Sequence, residues 1–163
     1  QQPLLWDNKA AKIYGTEVYM SALLGTNWQA SLSAQWVQGE LSEAIEGERY
    51  PLYRISPLSG NFILRWARDN VEASLALNIV AAQDDVSALQ NETPTAGYAV
   101  WNANARYQIS PQLSISVVAE NLLDKEYAQH LGGINRVSGS DIQLGQKVLE
   151  IGRNVGIYAE YSF

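Results

Sequence analysis

Apolar side chains fall at every second position along most of this chain, the period at which a strand sends neighbours to opposite faces. In the last nine residues Val155, Ile157, Ala159, Tyr161 and Phe163 share one face, while Gly156, Tyr158, Glu160 and Ser162 share the other. Six further stretches repeat the pattern. Together they predict strands over residues 11–24, 27–38, 54–68, 71–82, 97–108, 112–131 and 150–163.

The strands agree with one another in register. Gly25-Thr26-Asn27 is a turn signal, and setting Leu24 opposite Trp28 brings Met20 opposite Leu32 and Val18 opposite Ala34. Asp69-Asn70 as a tight turn likewise sets Trp66 against Ala73 and Leu64 against Leu75. A third short turn is Ile109-Ser110-Pro111, where proline fixes φ and donates nothing. Long polar connections over 38–53, 83–97 and 132–149 follow the second, fourth and sixth strands. Every apolar residue thus meets another on one surface, which is the condition that pins a register.

The opposite surface carries Glu17, Arg65, Glu72, Asn102, Asn104, Arg106, Glu120 and Glu160. An ionisable group facing lipid near mid-bilayer costs roughly 2–4 kcal/mol, so these side chains are expected to line a wet interior. A soluble β-sandwich binding module would instead bury the apolar face between two sheets. Aromatic placement favours the membrane. Trp28, Trp66, Tyr107, Tyr161 and Phe163 fall beside short turns or at the C-terminus on the apolar face, and Tyr14 and Trp36 fall at the other end. Nine Tyr and five Trp against two Phe strengthen this, because rings with a polar tip suit a membrane–water boundary. No apolar run approaches the roughly 20 residues of a spanning helix, so the chain crosses as strands or not at all.

Short turns on one side and long loops on the other match the periplasmic and external ends of a bacterial barrel. Strands one, three, five and seven then run inward, and the C-terminus lies in the periplasm. Seven strands that begin outside and end inside cannot close an even-stranded barrel, and unpaired edges in hydrocarbon cost several kcal/mol per group, roughly. The expected architecture is all-β: an antiparallel transmembrane barrel of which this chain is about the C-terminal third, with the remainder of the same barrel as its first partner. Gln1, with no initiator Met and no signal peptide before it, reads as the start of a processed or partial chain. A small closed barrel with a structural or adhesin role is the alternative, and it needs a hidden strand within 1–10 or 132–149. Pro3 and the glycines oppose that.

A net charge of −6 gives no basic stripe for nucleic acid. Without Cys there are no disulfides and no thiolate metal sites, which suits an oxidising periplasmic or outer-membrane setting. The acidic run of Glu40, Glu43, Glu46 and Glu48 reads as solvated loop. Catalytic signatures are missing: one His, no HExxH, no Ser-His-Asp order and no phosphate-cradling glycine loop, so no enzyme is expected.

The segment Val118-Ala119-Glu120-Asn121-Leu122-Leu123-Asp124-Lys125-Glu126-Tyr127 resembles the "V-x-N-L-F-D-x-x-Y" stretch before the last strand of TonB-dependent outer-membrane receptors, with Leu123 in place of Phe. Tyr14-Gly15-Thr16-Glu17 resembles the "YG-x-E" start of an earlier strand, and Tyr161-Ser162-Phe163 resembles the family's end. The resemblance covers essentially the whole chain as the last seven strands of a 22-stranded barrel whose lumen is plugged. It implies a plug domain and energy-coupling box N-terminal to this chain. It also implies active uptake across the bacterial outer membrane of a scarce nutrient: a siderophore, metal complex, cobalamin-like or other large ligand. The partners implied are the TonB-ExbB-ExbD energy-coupling system acting through the plug, outer-membrane lipid and lipopolysaccharide, and the barrel assembly machinery. That machinery would read Val155, Ile157, Tyr161 and Phe163 as an assembly signal. No cofactor is implied.

Within this resemblance the ligand-binding candidates are His130, Asn135, Arg136 and Arg106. His130 lies in Tyr127-Ala128-Gln129-His130-Leu131, similar to a run in the family's copper-receptor branch. A soft metal prefers thiolate and thioether donors, however, and the chain offers no Cys and a single Met20 on the lipid face. No metal site is therefore expected. His130 reads as a hydrogen bonder that anchors the final loop, and Arg136 as a contact for an anionic ligand. Gly132, Gly133 and Gly139 make that loop pliable.

Overall fold

A computed structural model describes residues 8–42 and 48–163. Its framework is one antiparallel sheet of seven strands in sequence order: β1 (Ala11–Leu24), β2 (Trp28–Leu41), β3 (Ser59–Arg68), β4 (Val71–Val80), β5 (Tyr98–Gln108), β6 (Leu113–Glu120) and β7 (Asn154–Tyr161). A single 3₁₀ turn, Ala88–Gln90, interrupts the connection between β4 and β5. Short turns follow β1, β3 and β5, and long connections follow β2, β4 and β6. Gly25 at φ 79 and Asp69 at φ 52 supply the left-handed residues of the first two turns. At the third, the Gln108 amide donates to the carbonyls of Ser110 at 2.7 Å and Leu113 at 3.3 Å.

The pairing is the one the alternation requires. Leu24 lies opposite Trp28, Met20 opposite Leu32 and Val18 opposite Ala34, and across the next hairpin Trp66 meets Ala73 and Leu64 meets Leu75. The parity carries to the last strand, where Val117 meets Ile157 and Ala119 meets Val155 on one face while Ser114 meets Glu160 on the other. No second layer covers the apolar face among the described residues. Leu32, Leu75 and Ile115 remain 40%, 38% and 38% exposed at mid-strand, which excludes the sandwich. Aromatic pairs mark both margins of this face, with Trp28 and Trp66 at 6.4 Å beside the short turns and Tyr14 and Trp36 at 5.7 Å near the loops. β1 and β7 are the two edges, and the sheet does not close on itself.

Strand ends depart from the simple alternation wherever side chains or returning loops intervene. β2 continues to Leu41, three residues past the expected end, because the following segment folds back along it: the Leu41 N–H donates to Tyr50 and the Leu52 N–H to Gly39. β3 starts at Ser59 and not near residue 54. Arg54 is left-handed at φ 63 and Pro57 has no N–H to give. β4 ends at Val80, two residues early.

The largest correction is β6, which stops at Glu120 instead of running to 131. Asn121 at φ 48 and Asp124 at φ 54 turn the chain out of the sheet. The buried Asn121 side chain accepts from the Lys125 N–H and donates to the carbonyls of Lys125 and Ile151, and Asp124 accepts from the Arg153 N–H at 2.8 Å. The motif beginning at Asn121 is thus a strand terminator that also ties the chain to residues just ahead of β7. For the same reason β7 begins at Asn154 and not at 150.

If the apolar face meets lipid, a charge there must be costlier than at the adjacent residue. Leu75→Arg is expected to lose about 2–4 kcal/mol of folding stability in lipid vesicles. Ala76→Arg, whose side chain points to the other face, is expected to lose less than about 1 kcal/mol. Urea titration of the full-length receptor reads both, and equal losses would contradict the assignment of faces.

Candidate functional site

The polar face holds the first candidate surface. Glu17, Asn102 and Glu120 line a hollow of about 530 Å³ together with Asn61, Asn78 and Tyr127. The Asn61 Oδ1 is buried without a hydrogen-bond partner among the described residues. The other interior candidates lie along the same face. Asn104 accepts from the Ser74 hydroxyl at 2.9 Å, and Glu120 accepts from the Asn154 amide at 3.3 Å. Arg65 stands between Gln29 and Ser74, and Glu72 stands opposite Arg106. Arg106 is ion-paired with Glu160 at 3.2 Å across β6, at the short-turn half of the sheet. It therefore does not join His130, Asn135 and Arg136, which lie in the connection between β6 and β7 at the opposite end.

At that end three long connections are knotted together by His130 and Glu92. His130 is 5% exposed. Its Nδ1 lies 2.9 Å from the Thr95 hydroxyl, and its Nε2 lies 3.2 Å from Glu92 Oε1. Both partners come from the connection between β4 and β5. Glu92 also accepts the backbone N–H of Arg54 at 3.0 Å, from the connection between β2 and β3, and that of Ser87 at 2.9 Å. Arg54 Nη2 then donates to the Leu131 carbonyl at 2.8 Å, and the Lys147 ammonium donates to the carbonyl of His130. A neutral ring with its proton on Nε2 donates to Glu92 and accepts from Thr95, which satisfies every polar atom of the pair.

Asn135 has a different task. Its amide donates to the carbonyls of Val137 at 2.9 Å and Ile142 at 2.6 Å and to the Ser140 hydroxyl at 2.8 Å. These contacts fold its own loop and leave little for a ligand. Arg136 lines a second cavity of about 260 Å³ with Arg54, Lys147, His130, Glu92 and Tyr53. Sequence reasoning singled out His130 and Arg136 but not Glu92, Thr95, Arg54 or Lys147. Nothing in spacing marks them, because their partners in the knot lie 17, 35, 38 and 77 residues away. Of the acidic run, Glu43 and Glu46 lie outside the described residues, and Glu40 is held by Arg49. Among the described residues no three His, Cys, Asp or Glu side chains converge to hold a metal ion. Met20 is exposed on the apolar face.

A single wall of two-faced strands, with knotted loops at one end, defines a membrane β-barrel. Residues 4–122, well over half of the chain, match the family described as TonB dependent receptor-like, beta-barrel, and the chain belongs to that family of outer-membrane proteins. Among solved structures it is similar to the copper transporter OprC, at 25% identity and a TM-score of 0.84, over 94% of this chain and 24% of that one. It shares its fold with the ferric yersiniabactin uptake receptor FyuA from Yersinia pestis, at 21% identity and a TM-score of 0.71 over the same shares. The chain spans about a quarter of the length of these structures. No curated protein matches it.

Protonation of His130 is expected to loosen the knot. Burial holds the His130 imidazole below its ordinary 6.5, with Lys147 and Arg54 acting in the same direction and Glu92 opposing them. The unfolded loop therefore binds more protons than the folded one as pH falls through 6.5, so the ring stabilises the knot fully above that value and progressively less below it. Amide hydrogen exchange is expected to show protection over 92–95 and 130–132 that falls between about pH 7.5 and pH 5. His130→Ala, which leaves Glu92 buried without that partner, should lose roughly 1–3 kcal/mol of local protection at the higher pH. Protection unchanged by both would contradict this account.

Proposed function

We propose that this chain supplies the C-terminal third of the barrel wall, and three outer loops, of a receptor that takes up a scarce nutrient across the bacterial outer membrane. Energy relayed from the inner membrane by the TonB-ExbB-ExbD system reaches the receptor through a plug in the lumen, and the barrel contributes scaffold, lumen lining and part of the ligand site. One observation carries the reading: a one-layer wall, apolar on one face and polar on the other, has its long connections tied to one another at one end. That end faces outward and receives ligand. The short turns and Phe163 face the periplasm, as the loop lengths favour.

The same geometry supports the remaining partners. The apolar face meets lipid and lipopolysaccharide, β1 and β7 pair with the rest of the barrel, and the assembly machinery reads the last strand, where the Tyr161 and Phe163 rings pack at 5.4 Å. The solved neighbours are a transporter and a receptor, which supports uptake over catalysis. Copper, the cargo named for OprC, has weak support from these loops, because both ring nitrogens of His130 are already engaged and no thiolate or thioether stands beside them.

Cells carrying the full-length gene are expected to accumulate a labelled ferric siderophore, cobalamin or copper(II) only while the inner membrane is energised. Phe163→Ala should lower folded receptor in the membrane, and uptake with it, several-fold. Uptake that persists after a protonophore, as through a porin, would refute the reading.

A further inference from the structure

The cavity among the three long connections inverts the charge of the chain around it. The sequence has 17 acidic and 11 basic side chains, yet Arg54, Arg136 and Lys147 all line this hollow of about 260 Å³ against one carboxylate, Glu92. That carboxylate is spent. Its side chain is 6% exposed, and its oxygens already accept the N–H groups of Arg54 and Ser87 and face the His130 ring. Glu92 is engaged within the knot, so the lining sets three cations against one carboxylate whose oxygens already have partners.

The three cations are held differently. Lys147 Nζ rests on the carbonyl of His130 and, at 3.5 Å, on that of Gly132, and Arg54 Nη2 rests on the Leu131 carbonyl at 2.8 Å. Carbonyl dipoles position these groups without cancelling their charge. Arg136 is exposed and has no hydrogen-bond or ion-pair partner among the described residues. Its planar fork is free to take a carboxylate or phosphate through two parallel bonds. A bare cation would meet the opposite conditions, with like charges at the rim and no lone pair left on His130.

We infer that this cavity binds the anionic part of the ligand, a carboxylate- or phosphate-class group, with Arg136 as the recruiting fork and Arg54 and Lys147 as fixed positive charge. The inference rests on the uptake reading for where such a ligand comes from, but the binding chemistry does not need it. Two side chains in it, Arg54 and Lys147, also fasten the knot. Ligand capture and loop order are thereby coupled: an anion that draws on both cations meets a cavity whose walls the knot already holds in place.

Calorimetric titration of the purified full-length receptor in detergent tests this with citrate and inorganic phosphate as probes and copper(II) as the opposing charge. Citrate is expected to bind, more tightly than phosphate, with affinity that falls as salt rises. Arg136→Gln should weaken it about tenfold and Arg136→Glu further, with unchanged heat-modifiable mobility showing that both variants fold. If neither anion binds, or Arg136→Glu binds citrate as the parent does, the inference fails. Copper(II) binding that Arg136→Glu strengthens while citrate binding is absent would also overturn it. Energised uptake measured in parallel separates the two readings. Uptake without anion binding removes this inference alone, and anion binding without energised uptake removes the transport reading alone.

Discussion

Water is missing from the middle of a bilayer, and a backbone N–H or C=O without a partner there costs several kcal/mol, roughly. This constraint orders everything else in the chain. A ladder of neighbouring strands answers it, with each strand from β2 to β6 bonded on both sides, and once the ladder exists its two faces have different solvents. Side chains must then sort by parity, apolar to one side and polar to the other. The same demand falls on the outer edges of β1 and β7, which in hydrocarbon require neighbouring strands.

The ends of the ladder are where the chain leaves that regime, and there the side chains take over. Asn121 and Asp124 use left-handed backbone and local hydrogen bonds to end β6 while holding the approach to β7. Beyond them, Glu92 and His130 gather three connections that would otherwise be long, separately mobile loops. A knotted rim spends some conformational entropy before any ligand arrives, so less is lost on binding. The charge arrangement follows from the knot, because it engages Glu92, the one carboxylate among the cavity's lining residues, beside Arg54, Arg136 and Lys147.

How much of this could be read from residues alone depended on range. Parity is local and repeats, so a slip of one position would turn Leu64, Leu75 and Val117 to the wet side. Faces, registers such as Met20 with Leu32, and the order of short and long connections were therefore legible. The end of β6 was not, because the apolar residues Leu122 and Leu123 carry on past it, although Asn121 falls on the apolar parity and the backbone there has already left the sheet. Within the site, His130 reads as a loop anchor from its sequence, yet its partners Glu92 and Thr95 sit close to Pro94 in a stretch with no periodicity. Arg106 resembles the ligand candidates in sequence because charge on an interior face looks alike at either end of a strand. Only its pairing with Glu160 in the short-turn half of the sheet separates it from them.

The chain has no Cys, so single Cys residues carrying a nitroxide can be placed one at a time along β4 and β6 of the full-length receptor in lipid vesicles. Collision with oxygen, which concentrates in hydrocarbon, against collision with a water-soluble nickel chelate then reports the solvent at each site. The account predicts a strict two-residue oscillation, with oxygen highest at positions 73, 75, 77, 115 and 117 and the chelate highest at 74, 76, 78, 114 and 116. A flat profile, or one in which both probes are excluded from positions 75 and 115, would mean that protein and not lipid covers the apolar face.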